Sequence, residues 1–294
     1  MRKTVIGWIV VAAAFGATAE ARRLAPPDSR RVPLRLAAGR LLIVPVTVDG
    51  SGPYPFLLDT GATRSLVDEA LADRLRLPRA GAVAHETAVA AGSATLVRGT
   101  LDLGGIQREV LLIRTPLSSL ADLNPRPLGV VGQDLLRQAN WWIDYESASL
   151  VADADGTVGE ADLGERLPVY WHDDRPAIDT LLPDQGRLRL VLDSAASSPV
   201  LFRAVPAGDR LRRTGSATLT TLDGPTAVPL ASVGPLRAGR LSIPRVEAAL
   251  LGETATPRLE DGLLPTALFE AIYFDNRAGA VVLNPRRSGL LALR

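Results

Sequence analysis

The chain has 294 residues, 47% apolar and 22% charged, the balance of a globular protein. It is longer than one ordinary domain of about 100–200 residues, and two compact units are the first expectation. Lys plus Arg number 33 against 32 Asp plus Glu, a formal net charge of +1, which leaves no strong field to hold a nucleic acid. With no Cys and only two His, disulfide frameworks, thiolate sites and most zinc sites are excluded. Chemistry is left to carboxylates, hydroxyls, Arg and backbone, with no metal and no cofactor expected.

Taken in chain order, the first segment reads as an address. Arg2 and Lys3 give a positive start, Val5 to Phe15 an apolar run, and Ala19-Glu20-Ala21 a small-residue cleavage pattern, so residues 1–21 are expected to be a signal peptide. The apolar run is shorter than the roughly 20 residues that span a bilayer. Arg22 and Arg23 leave a signal-anchor as the alternative, the only membrane association in this reading. No Cys follows for lipid attachment, and the expected location is periplasmic or secreted.

Beyond this the chain is β-rich. Leu41 to Val48 is a β-branched run closed by the turn pair Asp49-Gly50, and shorter strand signals follow at Pro55–Leu58, Leu101–Leu103, Val110–Ile113, Trp141–Ile143 and Leu150–Ala152. The best helical pattern runs from Ser65 to Leu75, with apolar positions 66, 67, 71 and 75 on one face and Asp68 in a capping box with Ser65. The small, acidic stretch 152–162 has no apolar period and reads as a linker.

Self-comparison finds three motifs that recur in the same order. Leu57-Leu-Asp-Thr-Gly-Ala-Thr63 returns as Val191-Leu-Asp-Ser-Ala-Ala-Ser197, an offset of 134 (193 − 59). Val130–Leu136 returns as Leu263–Phe269, and Trp141–Val151 as Ile272–Val282, at offsets of 133 (263 − 130) and 131 (272 − 141). Two duplicated lobes are therefore expected, residues 33–152 and 163–294, each of a size that one core can support.

The run Asp59-Thr60-Gly61-Ala62 after two apolar residues resembles the active-site loop of aspartic proteases, in particular the retropepsin-like branch. Val130-Val131-Gly132 resembles the strand that supports that loop in the same family. The resemblance extends from about Pro33 to Pro285. It implies an all-β, two-lobed fold with a cleft, in which Asp59 and Asp193 meet and share a proton. It also implies that the hydroxyls of Thr60 and Ser194 cross-link the two loops.

Carboxylates suit the task. Peptide hydrolysis needs a base to activate water and an acid to protonate the carbonyl oxygen, and two carboxyls held together cannot both ionise. A glycine two residues after the Asp, Gly61, allows backbone that a β-carbon opposes. Asp193 departs from the pattern, because Ala195 stands where Gly is expected and Pro265 where the first half has Gly132. If that position needs a left-handed backbone, Ala195 adds about 1 kcal/mol of strain.

Ala84 to Leu96 reads as a hairpin turning near Gly92, and Thr218 to Val228 as a second one turning at Asp223-Gly224. Neither carries the Tyr of a pepsin-like flap, so the pair resembles the two flaps of a retroviral protease dimer fused into one chain. Other residues are assigned to structure. His85 and His172 lack partners at metal-ligand spacing, Asp173-Asp174 reads as a turn, and Asp144 and Asp275 as Asx-turns. Trp141, Trp142 and Trp171 read as core or interface aromatics and Arg210–Arg213 as a solvated face.

The function expected is that of an aspartic endopeptidase acting on an extended peptide, as a monomer. Two rivals stay open. One is a pseudo-protease that binds peptides without cutting them, motivated by Ala195 and Pro265. The other is a homodimer in which two copies of Asp59 meet.

Overall fold

The computed structural model describes residues 31–86, 91–154, 164–182, 186–202, 211–221, 224–251 and 259–284. The expected signal segment, most of the expected linker and the chain end at 285–294 lie outside the described residues. Among the described residues the architecture is all-β apart from two short helices, Glu69–Leu75 and Gln133–Leu136, and a few 3-10 turns.

The described strands form three sheets. An eight-stranded sheet is ordered 35–37, 41–48, 51–58, 129–131, 66–68, 106–115, 91–103, 79–86. A ten-stranded sheet holds the strands between Tyr170 and Pro265. Between them, a six-stranded sheet takes strands 31–33, 149–153 and 140–144 from the first half and 271–275, 280–283 and 165–168 from the second. The seam is the antiparallel pairing of Trp142 with Tyr273 and Ile143 with Ile272. One apolar core runs through all three sheets, with Leu42 and Leu58, Leu190 and Leu264, and Trp141 and Ile272 among its buried members.

The run at 41–48 forms a strand with these bounds because alternate side chains find two different apolar partners. Leu42, Val44, Val46 and Val48 enter the main core, whereas Leu41 and Ile43 face a second cluster with Leu57, Leu66, Ile113 and Val130. This second cluster lies on the face that also carries Asp59.

The helix differs from expectation at its start. Residues Leu66–Asp68 form a short strand, parallel to 113–115, and the helix begins at Glu69. Asp68 is its N-cap, accepting from Ala70 N at 3.1 Å, while Ser65 bonds elsewhere. Apolar positions 66 and 67 satisfied a helical period and a strand equally well, and sheet pairing decided it. The expected linker also starts later. Ala152 and Asp153 belong to a strand, and Asp153 is buried and accepts from Tyr273 Oη at 2.8 Å.

Asp144 and Asp275 close turns as expected. Asp144 Oδ1 accepts from Glu146 N and Ser147 N at 2.9 Å, and Asp275 Oδ1 from Ala278 N at 3.2 Å. Asp173 and Asp174, both at positive φ, form the turn between strands 170–172 and 175–182. Trp141 and Trp142 are buried, and the guanidinium of Arg137 stacks over Trp171 at 4.3 Å.

Candidate active site

Asp59 follows the strand Ser51–Leu58, and Asp193 ends the strand Gly186–Asp193. Each of these strands is flanked on one side by a parallel neighbour. Leu58 pairs with Val131, and Leu192 pairs with Leu264. Gly132 and Pro265 follow as the next residues, so the two loops are supported in the same manner. Parallel pairing carries Asp193 beside Pro265, while Asp59 N donates to Val131 O at 3.0 Å.

Thr60 and Ser194 cross between the loops. Thr60 Oγ1 donates to Leu192 O at 2.7 Å and accepts from Ser194 N at 3.0 Å. Ser194 Oγ donates to Leu58 O at 2.7 Å and accepts from Thr60 N at 3.0 Å. Each hydroxyl thus grips the opposite loop on both sides of its aspartate. Thr60 is 4% exposed and Ser194 1%, so water does not compete for these bonds.

The carboxylates receive backbone N–H groups from their own loops. Asp59 Oδ1 accepts from Gly61 N at 2.8 Å. Asp193 Oδ1 accepts from Ala195 N at 2.7 Å and Ala196 N at 3.1 Å. Burial, and then the charge of Asp193, push the Asp59 carboxyl well above the usual carboxylate range. The N–H groups of Gly61 and Ala62 and the Arg175 cation oppose that rise. Burial also raises Asp193, against the N–H groups of Ala195 and Ala196 and the same Arg175. A carboxyl raised in this way keeps its proton at pH values where a free carboxyl has lost it.

Gly61 is needed for close approach and not for a left-handed backbone. A β-carbon there would stand 2.7 Å from Asp193 Cγ and 2.8 Å from its Oδ2, and no positive φ occurs at this residue. Ala195 is not at positive φ either, so the strain expected of it is not present. Its methyl packs against the apolar cluster of the first half that holds Leu57 and Val130. Gly132 is a tighter case. A β-carbon there would meet Arg64 C and O at 2.6 Å.

Several supporting groups escaped the sequence reading. Gln133 Nε2 donates to Thr60 O at 2.7 Å, and Gln133 N to Ala62 O at 2.9 Å, so the residue after Gly132 holds the loop from beneath. Ser65 bonds the Asp134 carboxylate with its N at 3.0 Å and its Oγ at 2.5 Å, and its Oγ accepts from Gly132 N at 3.0 Å. Burial holds the Asp134 carboxyl above its ordinary range despite these donors. On the other side, Tyr145 Oη meets Thr266 Oγ1 at 2.5 Å, directly after Pro265. A signal was present, since Gln133 and Asp134 lie in the recurring motif 130–136 and Thr266 in its counterpart 263–269.

The two hairpins are present, with one correction. Strands Arg79–Glu86 and Ala91–Leu103 pair with His85 facing Gly92, so Gly92 sits within a strand and not at a turn, and residues 87–90 lie outside the described residues. Strands Arg212–Thr221 and Gly224–Val233 pair with Thr221 facing Gly224, and Asp223 of the expected turn lies outside the described residues. Among the described residues no group of His, Asp and Glu has the arrangement of a metal site.

Residues 44–134 match the family model described as aspartyl protease. The match takes in Asp59, Thr60, Gly61 and Gly132 and ends before Asp193. In this stretch the chain is similar to aspartyl proteases, which supports a protease-type activity. No curated protein matches the chain.

Proposed function

We propose that this protein is an aspartic endopeptidase built of two retropepsin-like lobes, residues 33–152 and 163–294, the product of an internal duplication. The observation that carries the reading is the pair of mutually repelling carboxyls, Asp59 and Asp193, on loops tied together by four hydrogen bonds through Thr60 and Ser194.

A water between the carboxyls is the nucleophile. One carboxylate takes a proton from it while its oxygen bonds to the scissile carbonyl carbon, and the other carboxyl gives its proton to the carbonyl oxygen. In the tetrahedral diol that results, the carboxyl that took the water proton passes it to the amide nitrogen as the C–N bond breaks. The other recovers a proton from one diol hydroxyl as the carbonyl re-forms. The pair ends as it began, with one proton, and no covalent enzyme intermediate is required.

The hairpins 79–103 and 212–233 serve as flaps over an extended peptide, gripping its backbone as added strands. The peptide is apolar around the cut. The enzyme works as a monomer outside the cytoplasmic membrane, after removal of residues 1–21.

Cleavage of unfolded casein between about pH 3 and about pH 8 tests this, because the productive state is the one with a single shared proton. Asp59→Asn and Asp193→Asn should each lower kcat by roughly 10²–10⁴-fold while keeping the fold, the usual worth of an acid–base group. A wild-type rate in Asp59→Asn overturns the mechanism. Activity that survives Asp193→Asn but not Asp59→Asn replaces the monomer with a homodimer using two copies of Asp59.

A further inference from the structure

Each half braces the aspartate loop of the other, and the two braces are built differently. The recurring motifs set Tyr145 against Asn276 at an offset of 131 (276 − 145), and Gln133 against Thr266 at an offset of 133 (266 − 133). Tyr145 and Asn276 each follow directly on one of the two seam strands, 140–144 and 271–275, and each bonds to the opposite half. Gln133 and Thr266 each follow directly on the residue beside an aspartate loop, Gly132 and Pro265.

Under the second loop the brace is complete. Tyr145 is buried, and its Oη meets Thr266 Oγ1 at 2.5 Å. Under the first loop Asn276, a shorter side chain, does not make the matching contact with Gln133. Its Nδ2 donates instead to Leu136 O at 2.9 Å and Ala139 O at 2.6 Å, at the end of the short helix that Gln133 begins. A cavity of about 10 Å³ results, lined by Thr60, Gln133 and Asn276 and by apolar side chains that include Leu58, Ile143 and Phe274. Space of that size takes one water-sized sphere.

Gln133 is 3% exposed, and only one end of its amide is satisfied. Nε2 donates to Thr60 O at 2.7 Å, and because a carbonyl oxygen can only accept, this contact fixes which amide atom is which. Oε1 is buried and has no hydrogen-bond partner among the described residues. A wholly apolar cavity stays dry, whereas a buried acceptor in need of a donor draws a water inside. Asn276 supplies a second polar group, since its Nδ2 is committed and its Oδ1 takes no donor among the described residues.

We propose that the cavity beneath the Asp59 loop is a binding site for a single water molecule, which donates one hydrogen to Gln133 Oε1 and the other to Asn276 Oδ1. The class of ligand follows from the lining. No charged side chain contributes to it, so the site takes a neutral hydrogen-bond donor, and its volume admits nothing larger than water. The water does under the first loop what the Tyr145 hydroxyl does under the second. A phenol of the first half thus supports the Asp193 loop directly, and a carboxamide of the second half supports the Asp59 loop through solvent. The inference is independent of the protease reading, because it concerns how the loops are held and not the reaction at them.

The test looks for the water by rotating-frame Overhauser transfer in full-length protein labelled at its methyl carbons. Wild type should show cross-peaks of dipolar sign from water to the methyl groups of Leu58 and Ile143, which are buried and carry no exchangeable proton. Their absence overturns the proposal. Gln133→Met removes the acceptor and keeps a side chain of similar length, so both cross-peaks should be lost. Cross-peaks that persist in folded Gln133→Met come from another proton source, such as the Thr60 hydroxyl, and overturn it as well. Asn276→Tyr copies the other half. Its phenol should take the place of the water, donate to Gln133 Oε1 and abolish the cross-peaks. If Gln133→Met does not fold, Asn276→Tyr decides, loss of the cross-peaks supporting the site and persistence rejecting it.

Discussion

Asp193 presses its carboxyl against the Cα of Gly61, so a single methyl group at position 61 reaches the centre of the site. Gly61→Ala would place its β-carbon 2.7 Å from Asp193 Cγ, and the carboxylate, not the backbone, has to move. A displacement near 1 Å at a reacting group costs about 10²-fold in rate, so kcat for casein should fall by that order with little change in unfolding midpoint. Ala195→Gly is the counterpart. Because Ala195 is free of positive φ, replacing it should leave kcat within a few fold of wild type. A large gain would mean that the alanine had been spoiling the second loop. Conformation at this residue was out of reach from sequence, since a glycine that permits unusual φ and one that permits close approach look alike. Arg175 was equally hidden, because only the fold brings it near enough for its charge to lower both carboxyls.

Among the elements, strands buried on both sides were the most legible, and 41–48 keeps its expected bounds because its apolar run has no competing reading. The segment 65–75 was ambiguous for a physical reason. Its first apolar pair suits a helix face, but pairing with 113–115 and 129–130 satisfies the backbone of 66–68 as strand and hands the cap to Asp68. Asp68 also accepts from Leu117 N at 3.3 Å and Arg126 Nη2 at 3.4 Å, so its carboxylate joins three segments. Asp68→Ala should cost about 2 kcal/mol in urea unfolding, the loss of a cap with a buried N–H left unmet. Ser65→Ala acts elsewhere. It removes the acceptor of Gly132 N and a donor to Asp134, so it should lower kcat as well as stability. Equal stability losses with equal kcat in the two variants would contradict this division of labour.

At the scale of the whole molecule, the central six-stranded sheet lets two halves share one core, and the matching runs at 141–151 and 272–282 made that seam half legible in advance. What they did not reveal is the cost of the meeting point. Burial raises Asp59, Asp193 and Asp134 above their ordinary values, with the charge of Asp193 adding to the rise of Asp59. For a group whose folded pKa is raised, the native state binds the proton more tightly than the unfolded chain. That stabilisation is present in full below the unfolded value of about 4 and is lost as pH climbs through the folded value. Glu165 and Asp179, both lowered through bonds to Arg240 and Arg189, act in the opposite sense, losing their contribution as pH falls through their folded values. Both side chains are only partly exposed, but a lowered carboxylate titrates below about 4, so between about 5 and about 7.5 the raised trio decides the slope. The protein should therefore become more stable as pH falls from about 7.5 to about 5, against the usual trend of acid destabilisation. Asp59→Asn removes the most strongly raised group while retaining an oxygen to accept from Gly61 N. It should be more stable than wild type at neutral pH and show a flatter dependence on pH. Urea midpoints for both proteins at the two pH values measure this, and parallel slopes would show that the aspartate pair carries no stored repulsion.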